Sequence, residues 1–97
     1  MAKLIVYYPR HEGCRFDRDY YLATHVPIVG DAWTEAGMTG AEIEWPFDDT
    51  QPFACLIGIA FADQGAIDAA LGSAATAGVL ADVANFTDIT PSLYRTT

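Results

Sequence analysis

The stretch "KLIVYY" (3–8) is dense in β-branched and aromatic residues, and "PRHEG" stops it, which predicts a buried strand and a loop. "FDRDYYLATHVPIVGDAW" (16–33) then reads as a helix of four to five turns, with Asp17 placed to cap its N-terminus and Gly37 to end the turn that follows. "GAEIEW" (40–45) alternates small or apolar with charged residues, as a strand with one wet face does. "PFDDTQP" is a turn-rich connection. "FACLIGIAF" (53–61) is continuously apolar, with bulky residues at odd positions and Ala54, Gly58 and Ala60 at even ones. That predicts a central strand with helices packed on its small-residue side. "DQGAIDAALGS" is a short amphipathic helix capped by Asp63, and "TAGVLADVA" is its continuation or a second short helix after a Gly/Ser break. "NFTDITPSLYR" closes the chain as a strand, where Pro91 requires an edge, a bulge or a strand end.

The order β-α-β-β-α-β predicts an α+β, ferredoxin-like single domain over 1–97, an antiparallel sheet with both helices on one face. The other face of the sheet is then left apolar, carrying Phe53, Cys55, Ile57, Ile59 and Phe61 on this reading. The same face of a second copy is the simplest cover, giving an isologous homodimer. A chain of 97 residues is near the lower end of what folds on one core, and oligomerisation is a common remedy.

Charge narrows the partners. Five basic residues against thirteen acidic give a net charge of −8, so neither nucleic acid nor an anionic membrane surface is an expected partner. Cys14 and Cys55 have no metal-site spacing; Cys55 reads as a small packed hydrophobe and Cys14 as an exposed thiol. A start directly in a strand, with no signal peptide and no apolar stretch of about 18 residues, leads to the expectation of a soluble cytoplasmic protein.

Candidate chemistry sits in the first helix. At roughly 100° per residue, Asp17, Tyr21, His25 and Ile28 fall within an arc of about 80°, with Tyr20 and Thr24 beside it. His25 reads as a general base or acid, since its ordinary pKa is near neutral, or as a partly buried His bonded to a carbonyl. Tyr21 is a phenol donor to a ligand or an amphipathic core residue, and Asp17 a helix cap or a partner of His25. Pro27 frees the carbonyl of Ala23, so a local bend or a nearby polar partner is expected. Trp33 and Trp45 line an aromatic pocket or pack at element ends, and His11 reads as a solvated loop residue. His11 and His25 fit no metal-ligand spacing, and no GxSxG elbow supports a triad on Ser73 or Ser92. One axial His would leave haem open, but no second haem-binding feature accompanies it, so no metal and no cofactor are expected.

"FDRDYYLATHVP" (16–27) resembles the helix-one signature of the EthD family, an aromatic and an acid, a Tyr pair and His-x-Pro; "VLADVANFTDITP" (79–91) resembles that family's other recurrent segment. The resemblance runs from the first strand to Pro91 and implies a dimeric α/β-barrel with a pocket between each sheet and its helices. It implies a cofactor-free homodimeric enzyme acting by proton transfer on a hydrophobic aromatic or polyketide-like molecule, through oxidation, dehydration or decarboxylation. His25, Tyr21 and Asp17 are then the candidate catalytic residues, and Tyr20, Ile28, Trp33 and Phe86 the candidate substrate-binding ones. The alternative is a non-catalytic small-molecule-binding or accessory protein of a degradation or biosynthesis pathway.

Overall fold

The computed structural model describes residues 2–97. Strand β1 (Ala2–Pro9) runs into a loop and then a continuous helical arm. The arm consists of one α-turn, α1 (Arg18–Tyr20), a π-helical stretch (Tyr21–His25) and helix α2 (Val26–Trp33). Strands β2 (Met38–Glu44) and β3 (Phe53–Phe61) follow, then helices α3 (Gln64–Leu71) and α4 (Ala75–Asp82), a 3₁₀ turn (Val83–Asn85) and β4 (Ser92–Thr96). The four strands form an antiparallel sheet in the order β2-β3-β1-β4, the predicted ferredoxin-like arrangement. Among the described residues no single helix is long and apolar enough to cross a membrane.

The helix ends follow local chemistry. Asp17 accepts a hydrogen bond from the Tyr20 N–H at 3.0 Å, and Asp63 accepts one from the Ala66 N–H at 2.8 Å, so both predicted caps form. Gly37 adopts φ +116°, a conformation open to glycine, and a Cβ there would stand 2.9 Å from the Ala66 Cβ. Pro91 lies just before β4, clear of the ladder it could not join.

The facing of β3 corrects the expectation from sequence. Cys55, Ile57, Ile59 and Phe61 are buried beneath the helices, together with Leu4, Val6 and Tyr8 of β1. Bulky side chains fill the gap between sheet and helices, and Gly58 and Ala60 face the open side, while Ala54 is buried. Phe53 alone of the five lies on the open side, because the β1–β3 register shifts between Tyr7 and Pro9. One additional residue in β3 there reverses the alternation, and Phe53 packs on Tyr7 with ring centroids 4.9 Å apart. The open face therefore carries Ile5, Tyr7, Leu56, Gly58, Ala60 and Tyr94, with Glu42 and Glu44 toward the β2 edge.

Candidate active site

The π-helical stretch sets the geometry of the first wall. Pro27 has no N–H to offer, and the backbone widens just before it: the Val26 N–H reaches back five residues to the Tyr21 carbonyl. As a result the buried positions of the arm are Tyr21, His25, Val29 and Trp33, four residues apart throughout. Ile28, expected on the inward stripe, is displaced to a half-buried position beside it.

These four side chains form one wall of a cavity of about 230 Å³ between the arm and the sheet. Val6, Tyr8, Ile57 and Ile59 form its floor, Thr76, Val79, Leu80 and Val83 the facing wall, and Leu71, Pro91 and Leu93 its flanks. Its surface is almost wholly apolar. Thr76, one of the few polar groups, is engaged twice: it accepts a hydrogen bond from Trp33 Nε1 at 2.9 Å and donates one to the Ala70 carbonyl.

His25 is 3% exposed, and its Nδ1 lies 2.9 Å from Oδ2 of Asp82, at the last turn of α4. The other carboxylate oxygen, Oδ1, accepts from the Tyr20 hydroxyl at 2.7 Å and from Asn85 Nδ2 at 3.0 Å. Burial pushes the Asp82 carboxyl up, but the bonds from Tyr20, Asn85 and His25 outweigh it and hold the group below the usual carboxylate range. Burial also dominates at His25, lowering its pKa against the upward pull of Asp82. The stable arrangement is thus a neutral imidazole donating its Nδ1–H to an ionised Asp82. That tautomer leaves the Nε2 lone pair without a protein partner among the described residues, on a ring that lines the cavity.

Aromatic rings fix the imidazole in place. Phe86 lies 4.5 Å from it and Tyr21 stacks against it at 5.5 Å, centroid to centroid. Burial raises the Tyr8 and Tyr21 phenols well above their ordinary range, so both stay protonated as donors; Tyr21 lies beside the Cys55 thiol, which burial lifts to about 11. The loop before α1 is tied to the loop after α4: the Asp17 N–H donates to the Phe86 carbonyl at 2.8 Å and Thr87 Oγ1 to the Arg15 carbonyl at 2.6 Å.

The structure brings His25, Tyr21 and Trp33 to the cavity and sets Phe86 directly behind His25. Tyr20 acts on Asp82 and not on the cavity, and Asp17 is an exposed cap outside the lining. The carboxylate partner of His25 is Asp82, which the reading of helix one alone did not reach. A signal for it exists: a carboxylate in the last turn of a helix opposes the macrodipole and needs a compensating donor. Among the described residues no group of three or more His, Cys, Asp and Glu is placed to hold a metal ion.

No family model and no curated protein matches the chain. Solved structures do. An EthD-like protein from Ralstonia eutropha JMP134 superposes with a TM-score of 0.82 at 29% identity, over 98% of this chain and 88% of that one. A dimeric ferredoxin-like protein from Jannaschia sp. CCS1 gives 0.70 at 16% identity, over 99% and 97% of the two chains. An ethyl tert-butyl ether degradation (EthD) family protein from Bacillus halodurans C-125 gives 0.66 at 16%, over 95% and 96%. The strand order and the likeness to the Ralstonia protein over nearly the whole chain agree: the chain has the ferredoxin-like fold and is similar throughout to an EthD-like protein.

Proposed function

We propose that this protein is a cofactor-free enzyme that removes a proton from a small, largely apolar molecule held between sheet and helices. The observation that carries this reading is the His25–Asp82 pair at the wall of an otherwise apolar cavity. Nε2 of His25 accepts the proton from an O–H or C–H acid, and the ligand is left as the conjugate anion. Asp82 holds the ring in the tautomer that can do this and balances the imidazolium as it forms. The Tyr8 and Tyr21 phenols stay neutral, and the Tyr21 hydroxyl is engaged with the Cys55 thiol.

The active form in this proposal is a homodimer. A single layer of helices covers one side of the sheet, and the open side presents Ile5, Tyr7, Leu56 and Phe53. Burying that face against its own copy removes apolar surface from water at about 25 cal/mol per Å². The similar Jannaschia protein is described as dimeric, which supports the same arrangement here.

The test is a screen of weakly acidic aromatic compounds followed by His25→Gln on the compound that turns over. Loss of turnover in a folded variant that still binds the compound establishes the proton-transfer role. Unchanged turnover removes it, and a compound bound and recovered unaltered by the wild-type protein identifies a binding protein instead.

A further inference from the structure

Resting on the His25 site just proposed, we infer that the cavity takes an uncharged ligand of one or two fused rings carrying a single weakly acidic group, and that it rejects carboxylates and other anions.

Size comes first. An apolar protein cavity of about 150 Å³ accepts benzene, and drug-sized ligands occupy about 300 Å³ or more. At about 230 Å³ this cavity lies between them, with room for a substituted ring or two fused rings. Its mouth is apolar as well: Leu80 is 61% exposed and Leu93 51%. A ligand passing there loses its water before it meets any polar group.

Charge decides the rest. The chain has five lysines and arginines, and none lines the cavity. Arg10 faces Asp49, Arg15 donates to the Ala84 carbonyl, and Arg18 lies 4.7 Å over the Trp45 ring. Arg95 is bound to Gln64 and Asp68, and Lys3 is exposed in the Ala60 register of the open sheet face. A carboxylate in the cavity would be a buried charge without a counter-ion, with the Asp82 carboxylate directly behind the imidazole. The Thr76 hydroxyl could not compensate, since both its bonds are already made. Nε2 of His25 remains as the acceptor for one ligand proton. Of the reaction types that the EthD resemblance implies, decarboxylation of a bound carboxylate is therefore the one this cavity does not suit, and removal of a proton from a neutral O–H or C–H acid is the one it does.

The experiment compares 2-naphthol, 2-naphthoate and 9-phenanthrol at pH 7 by calorimetric titration. Val79 and Val29 methyl shifts locate each probe, and Val79→Phe serves as a cavity-filled control checked for folding by circular dichroism. The expected result is that 2-naphthol binds at least tenfold more tightly than either of the others and moves both methyls. A smaller preference, with the methyls still responding, overturns the ligand class and leaves the His25 site standing. No methyl response to any probe overturns both, and because that readout uses the wild-type protein it holds even if Val79→Phe does not fold.

Discussion

The imidazole of His25 and the carboxylate of Asp82 meet at 2.9 Å across 57 residues of sequence. One belongs to the helical arm after β1, the other to the end of α4, so the imidazole and its carboxylate partner come from the two halves of the fold. Replacing Asp82 by Asn keeps the shape but removes the charge that stabilises an imidazolium. Turnover is expected to fall by about 10² or more with the far-ultraviolet spectrum unchanged. Full activity in the Asp82→Asn protein would take Asp82 out of the mechanism.

The same pair makes stability depend on pH. Buried His25 has a lowered pKa, so the folded chain binds fewer protons than the unfolded one in the ordinary histidine range. Its contribution is intact above about pH 6.5 and declines as the pH drops from there toward the lowered folded value. Asp82, also lowered, contributes loss only below about pH 3.9, in a separate window. Thermal melts at pH 7.5 and 5.5 should therefore differ more for the wild type than for His25→Gln. Equal differences in the two proteins would contradict the buried neutral imidazole.

Tyr20 reaches the site through its hydroxyl bond to Asp82 and through its ring, stacked on Phe86. Tyr20→Phe keeps the ring against Phe86 and deletes that bond, and is expected to lower stability. Urea midpoints read the change, and a shift near zero would mean that water replaces the hydroxyl.

Two glycines separate backbone strain from helix propensity. Gly37→Ala puts a Cβ into contact with Ala66 at a left-handed φ and is expected to destabilise by at least about 1 kcal/mol. Gly30→Ala, in the interior of α2 with nothing within 4 Å of the new Cβ, is expected to stabilise by about 0.5–1 kcal/mol. Thermal denaturation of the pair measures both, and the same sign for both would refute the distinction.

The open sheet face predicts association. Sedimentation of the wild type at micromolar concentration is expected to show a dimer, and Leu56→Glu, at the centre of that face opposite Tyr7, a monomer. A wild-type monomer would refute the interface.

The order of elements along the chain and the helix caps were legible in the sequence because each depends on residues close together: a β-branched run ended by Pro, or an Asp three residues before an unpaired N–H. His25 and Tyr21 were legible for a related reason, since helical spacing puts them on one stripe, whereas Ile28, placed on the same stripe, is displaced from it by the π-helical stretch. What was not legible needed the third dimension. An apolar strand shows which residues alternate but not which side the helices take, and at β3 the sides are the reverse of the simple expectation. Asp82 looks in sequence like a solvated helix residue, because its three donors, Tyr20, His25 and Asn85, come from both ends of the chain.

The widened turn from Tyr21 to His25 acts as a phase setting for everything after it. The turn already holds one residue more than an ordinary α-turn, and a further one rotates the rest of the arm by about 100°. Val29 and Trp33 would then leave the wall while the helix stayed a helix. A single-residue insertion there is expected to keep the helical content and abolish the cavity. The site therefore depends on a count of residues as much as on their identities.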